Sequence, residues 1–274
     1  MDGYGLNYER RGSGTPLVLL HGIGHRWQAW RPVLDELAAH HDVIAIDLPG
    51  FGRSPQFPGH GGYDVPGAMR RLRTSFELLG VRSPHIAGNS LGGLLAVEAA
   101  AQGMVASATA LSPAGFWTRR DRARALATLR MIRASARAPR PAVGALLATG
   151  PVRSQLLRVL HNHPERIDRS TALGDVAALR DATGFAPTIE AGKRYSWQGK
   201  SPDIPVTIAW GAKDRVLPPR QAERAARRLP NARHVLLPDC GHVPMPDDPR
   251  LVARTILETC ALAEERVAGV DETV

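Results

Sequence analysis

The sequence predicts an α/β fold, a mostly parallel, doubly wound sheet interrupted late by a helical insertion. Three observations carry that expectation. Short, continuous apolar runs recur along the chain, each bounded by Gly, Pro or Asp, as strands buried on both faces should be. Segments with apolar residues at helical spacing separate them, and strand–helix alternation builds parallel sheets with helices on both sides. After Leu111 the alternation stops, and no strand pattern returns until after Ser201.

Taken in order, LNYERRG adds an antiparallel edge strand, and PLVLL (Pro16 to Leu20) is the first core strand. WRPVLDELAAH comes next with Val33, Leu34 and Leu37 on one helical face, then the strand DVIAI (Asp42 to Ile46). AMRRLRTSFELLG is a helix ending at Gly80, a residue suited to a left-handed C-cap. HIA (His85 to Ala87) is a strand, LGGLLAVEAAAQG (Leu91 to Gly103) a helix, and SATAL (Ser107 to Leu111) a strand. WTRRDRARALATLRMIRASAR, rich in Ala, Leu and Arg, is helical, and Pro139, Pro141, Pro151 and Pro164 cut the rest of this region into short helices. SPDIP returns the chain to the sheet, where IPVTIAW and HVLL are the last strands, with a helix beginning near Pro218 between them. The polar end, EERVAGVDETV, is expected to fray. Residues 1–113 and 202–274 therefore read as one core, and 114–201 as a helical cap or lid over the carboxyl edge of the sheet.

A chain of 274 residues is long enough to bury a core without disulfides or metal. No apolar run reaches the roughly 18 residues of a membrane span, and the first residues lack the basic-then-apolar pattern of a secretory signal. Cys240 and Cys260 are the only cysteines and stand in no CxxC spacing, so the expected location is cytoplasmic and both thiols read as core residues. The net charge of +9 is concentrated: twelve arginines between Arg119 and Arg169 face only Asp121, Glu165 and Asp168. The segment lacks the interleaved aromatics that would stack bases, so it reads first as a solvated helical face, with attraction of an anionic substrate or membrane surface as the alternative.

The chemistry is carried by Gly88-Asn89-Ser90-Leu91-Gly92, a G-x-S-x-G between a strand and a helix. A turn that tight projects the Ser90 hydroxyl outward, and glycines at 88, 92 and 93 remove side chains that would clash or hold the helix off the sheet. A serine hydroxyl needs a base, and an imidazole needs a partner that fixes its tautomer. Of ten histidines, His242 in PDCGHVP lies past a strand's carboxyl end, and Asp214 in WGAKDRVLP does the same after IPVTIAW. The order Ser90, Asp214, His242 is the acyl-transfer order for such a sheet. Asp239 is a weaker partner, and Asp47 in DLPGFGRS reads as ordering a turn. Backbone N–H groups for a developing oxyanion are expected from Leu91 and from Ile23 in the HGIG loop. His161 and His163 alone make a weak case for a metal site. Trp27, Phe116 and Trp117 are candidates for an entrance.

HGIG, DLPGFGRS, GNSLGG, WGAKD and CGH, in that order, resemble the α/β-hydrolase fold family over nearly the whole chain. The resemblance implies an eight-stranded sheet with a helical cap, and the roles of nucleophile, orienting acid and base for Ser90, Asp214 and His242. Haloalkane dehalogenases and epoxide hydrolases of the family carry an aspartate where Ser90 stands. The expected activity is hydrolysis of a carboxylic ester or related acyl bond through an acyl-enzyme. The alternatives are C–C bond hydrolase, lactonase, cofactor-free perhydrolase and, outside catalysis, a ligand receptor. No cofactor and no metal are expected; the expected partner is a small acyl substrate, with no nucleic acid and no integral membrane segment, and a homo-oligomer is compatible with the chain.

Overall fold

The computed structural model describes residues 5–56 and 62–271. The strands are β1 (Tyr8–Arg11), β2 (Pro16–Leu20), β3 (Asp42–Ile46), β4 (His85–Asn89), β5 (Ser107–Leu111), β6 (Val206–Gly211) and β7 (Arg233–Leu237). They form one sheet in the order β1-β3-β2-β4-β5-β6-β7, with β1 antiparallel to β3 and every other pair parallel. Every apolar run expected to be a strand is one. The count of eight implied by the family resemblance is corrected to seven among the described residues. Among the described residues the antiparallel edge is β1 alone, followed by a turn in which Gly12 and Gly14 have positive φ.

The helices are α1 (Arg31–Ala38), α2 (Val65–Leu79), α3 (Leu91–Ala101), α4 (Arg119–Ala136), α5 (Arg140–Ala148), α6 (Gly150–Leu157), α7 (Arg169–Asp181), α8 (Phe185–Gly192), α9 (Arg220–Arg228) and α10 (Pro249–Asp271). Helix α2 stops at Gly80, whose φ of +68° is the left-handed cap the sequence signals. Helix α10 continues to Asp271, so the tail expected to fray is helical that far, and residues 272–274 lie outside the described ones.

Because a parallel sheet buries both faces, alternate residues of each strand feed two cores. Val18, Leu20, Ile44, Ile86, Ala108 and Ile208 pack toward α2, α3 and α9. Leu17, Leu19, Val43, Ala87 and Ala209 pack toward α1 and α10. Each fully buried Leu, Ile or Val contributes roughly 1.5–3 kcal/mol, so these two layers dominate the stability of the chain.

Between β5 and β6 there is no strand among the described residues; the segment carries α4 to α8 and a short 3-10 turn at Pro164–Arg166. Its own apolar cluster is small, built on Val143, Leu147, Ile167 and Ala172. The arginines do more there than sit in solvent. Arg133 is buried, donates to the Ala182 carbonyl at 2.9 Å and lies over the Phe185 ring. Arg153 donates to the carbonyls of Ile167 and Leu147, and Arg180 to those of Ala136 and Ala138. Carbonyls at the ends of short helices have no intrahelical donor, and guanidinium groups supply one. The expected solvated face is therefore only part of the arrangement. Asp121 closes the capping box of α4 with Thr118 and accepts from Arg220 and Arg224 of α9, which ties the first inserted helix to the core. Burial works to raise its carboxyl; hydrogen bonds from Arg220 and Thr118 prevail and hold it at about 2.

Candidate active site

The turn from β4 into α3 sets the first group. Ser90 has φ +57° and ψ −109°, a conformation that costs a non-glycine residue on the order of 1–3 kcal/mol. Neighbouring backbone holds it there: Ser90 N–H donates to the Leu111 carbonyl at 2.9 Å, and the Ser90 carbonyl accepts from Leu94 and Ala114. A Cβ on Gly88 would lie 2.1 Å from the Gly92 carbonyl oxygen, and one on Gly92 would lie 2.1 Å from that of Leu20. Only glycine permits the helix to start this close to β2 and β4. At Gly93 a Cβ would meet the Gly88 oxygen at 3.1 Å, a tight but smaller conflict.

His242 and Asp214 come together as expected. Asp214 Oδ2 accepts from His242 Nδ1 at 2.7 Å, and its Oδ1 accepts from the N–H groups of Val216 at 2.8 Å and Leu217 at 2.7 Å. Both side chains are buried. Nδ1 is therefore the protonated nitrogen that faces the carboxylate, which leaves Nε2 free to accept a proton. Ser90 and His242 line one cavity of about 100 Å³. No hydrogen bond joins Ser90 Oγ to the imidazole among the described residues, and such bonds are often long before a substrate is seated.

Two residues that sequence reasoning passed over hold the His242 loop. Asn89 Nδ2 donates to the His242 carbonyl at 2.8 Å and to the Leu111 carbonyl at 3.1 Å, linking the serine turn to the histidine loop. Asp247 is buried and accepts from the Gly241 N–H at 2.7 Å, as well as from the N–H groups of Asn162 and His163. The only sequence signal for Asn89 was its place inside the motif; Asp247 gave none. Asp239, the weaker candidate, is exposed and pairs with His163 at 2.6 Å instead. Asp47 orders loops, accepting from the N–H groups of Trp27 and Arg53 and from the Asn7 side chain.

The HGIG loop lies against the serine: a Cβ on Gly22 would meet Ser90 Cβ at 3.3 Å. His21 fixes this loop. Its Nδ1 bonds the Gly22 carbonyl at 2.7 Å and its Nε2 accepts from the Leu48 N–H at 3.0 Å, so the ring is neutral with the proton on Nδ1. Burial pushes its pKa down to about 4, which keeps that arrangement at neutral pH. The Ile23 N–H finds no acceptor among the described residues, and Leu91, first in α3, carries one of the N–H groups a helix leaves unpaired.

Ile23, Ser90 and Leu91 also line a second, larger cavity of about 290 Å³. Its walls are mainly apolar, with Leu94, Leu126, Ile189 and Val216 among them. Trp117 lines it too; Trp27 is packed in the core beside α1, and Phe116 packs on Trp197. The smaller cavity is more polar, with His25, His161 and Asp175 in its wall. No helix among the described residues is long and apolar enough to cross a membrane.

The chain is 31% identical over 249 residues to the dihydrolipoyllysine-residue acetyltransferase component of the acetoin cleaving system of Cupriavidus necator, over 89% of this chain and 63% of that protein. The chain thus spans less than two thirds of that relative's length. It is 28% identical over 256 residues to Lipase 3 of a Moraxella species, over 85% of this chain and 73% of the lipase. A solved thermophilic esterase from Thermogutta terrifontis superposes with a TM-score of 0.72 at 22% identity, over 94% of this chain and 93% of that one, and so shares the fold. A family model described as alpha/beta hydrolase fold matches residues 15–249, which spans the serine turn, the aspartate and the histidine loop. On that match the chain belongs to the alpha/beta hydrolase fold family.

Proposed function

We propose that this hydrolase is a serine hydrolase that cleaves a carboxylic ester or a related acyl bond. The observation that carries the reading is the buried Asp214–His242 pair, whose histidine shares a cavity wall with the strained Ser90. Ser90 Oγ attacks the acyl carbon as His242 Nε2 takes its proton. The carbonyl electrons move onto oxygen, where the N–H groups of Ile23 and Leu91 stabilise the charge. The intermediate collapses, the acyl–oxygen bond breaks, and the leaving alkoxide takes the proton from His242. Water then attacks the acyl-enzyme with His242 as base, the acid departs, and the proton returns to Ser90. Asp214 stays ionised and stabilises the imidazolium in both halves.

The cavities support a substrate with one apolar limb. The larger volume is at the small end of ligand pockets, which suits a short or medium acyl or aryl group rather than a long chain. The inserted helices α4 and α8 supply part of its wall through Leu126 and Ile189, the role expected of a cap. Ser90→Ala should lower kcat/KM toward a short p-nitrophenyl ester by about three orders of magnitude or more with the fold intact. Equal rates for variant and parent would remove Ser90 from the reaction.

A further inference from the structure

Away from the serine, three metal-ligating side chains converge at the opposite, amino edge of the sheet. His41 immediately precedes β3, His85 opens β4, and Glu264 lies late on α10. One ligating atom from each falls within 4.8 Å of the other two. We propose that His41, His85 and Glu264 bind a divalent transition-metal ion, zinc above all, which staples the end of α10 to the sheet.

The geometry asks for an ion more than for a hydrogen bond. His85 Nε2 stands 3.4 Å from Glu264 Oε1, long for a nitrogen–oxygen hydrogen bond. Zinc ligands at 2.0–2.1 Å on a tetrahedron are separated by roughly 3.3–3.4 Å, so this edge is already set. The His85 ring is held from its other side, with Nδ1 and Ser107 Oγ 2.8 Å apart, the outer support a ligating imidazole characteristically has. His41 is buried, its ring packs edge-on to that of His85 at 5.4 Å, and its Nδ1 has no hydrogen-bond partner. A buried, unpaired imidazole nitrogen is costly, and a metal bond removes the cost. Glu264 is half-exposed, so the ion has an entry path and a place for water as fourth ligand. Two imidazoles and one carboxylate suit zinc and its neighbours; calcium and magnesium prefer all-oxygen shells.

The ion would be structural, since β3 and β4 carry the chain away from this edge toward the serine turn. The test uses the full chain, stripped with a chelator and titrated with Zn²⁺ by calorimetry, with a parallel thermal melt. The parent should bind with a rise in melting temperature. Glu264→Gln, a change at a half-exposed position, should weaken binding at least about tenfold and abolish the rise, and Ser107→Ala should weaken it about 10–100-fold. Glu265→Gln, the same charge change one residue on, should leave both unchanged. Co²⁺ in place of Zn²⁺ should give the intense visible bands of a tetrahedral centre in the parent and lose them in Glu264→Gln. Ester hydrolysis by the stripped protein should match that of the loaded protein. Absence of Zn²⁺ binding to the parent, equal affinity in Glu264→Gln, or binding without a thermal shift would each overturn the assignment.

Discussion

The carboxyl edge of the sheet and the helices inserted between β5 and β6 are built on different principles. The sheet rests on continuous apolar strands that fill two large cores and on glycines that nothing else can replace. The inserted helices have a separate four-residue apolar cluster, send Leu126, Phe185 and Ile189 into the larger core, and are joined to one another in part by arginines donating to backbone carbonyls. A burial-dominated region fixes atoms closely, because displacement opens cavities in a close-packed interior. A region held by guanidinium–carbonyl bonds can exchange those bonds for water, since each contributes only about 1 kcal/mol net. The proposed serine and histidine sit on the first kind of structure and the wall of the apolar cavity partly on the second. Under the proposed function, that division gives precision to the serine and histidine and tolerance to the wall of the apolar cavity.

The largest expected break in this contrast is Gly92→Ala. Its Cβ would sit 2.1 Å from the Leu20 oxygen, between two backbones that cannot separate without disturbing β2 and α3. Denaturant unfolding should show a loss of about 3 kcal/mol or more, or no folded protein. An intermediate effect is acid destabilisation. His21, just past β2, and His161 in the insertion both have their pKa lowered by burial to about 4. The unfolded chain then binds protons that the native chain does not. Stability is full above about pH 6.5 and falls as pH drops toward 4, at about 1.4 kcal/mol per pH unit for each such histidine. A urea midpoint that stays level from pH 7 to pH 5 would contradict this. The smallest effect belongs to Gly144→Ala in α5, where a Cβ meets nothing within 4 Å. It should stabilise by about 0.5–1 kcal/mol in the same unfolding measurement, the reverse of Gly92→Ala.

The same contrast explains what could be read from the sequence. PLVLL, DVIAI, HIA, SATAL and IPVTIAW announce strands because parallel sheets demand continuous apolar runs. The serine turn is legible because its glycines answer a steric demand on one short stretch. Asp214 and His242 are legible from their places at strand ends. Asn89 and Asp247 were missed because their partners are backbone groups of distant loops, which no periodicity marks. The eighth strand came from the family likeness, whereas the residues ahead of β2 indicate one edge strand. The arginines read as a charged face because the carbonyls they satisfy are invisible in a sequence. The cluster of His41, His85 and Glu264 lacks any motif spacing, since the fold alone unites residues from the approach to β3, from β4 and from α10.

The most direct measurement is covalent labelling of the folded chain with a fluorophosphonate, followed by mapping of the modified peptide. A serine activated by the Asp214–His242 pair should take up one equivalent, located on Ser90, and His242→Gln should label at least about a hundredfold more slowly. No uptake by folded protein, an adduct on another residue, or an unchanged rate in His242→Gln would contradict the account.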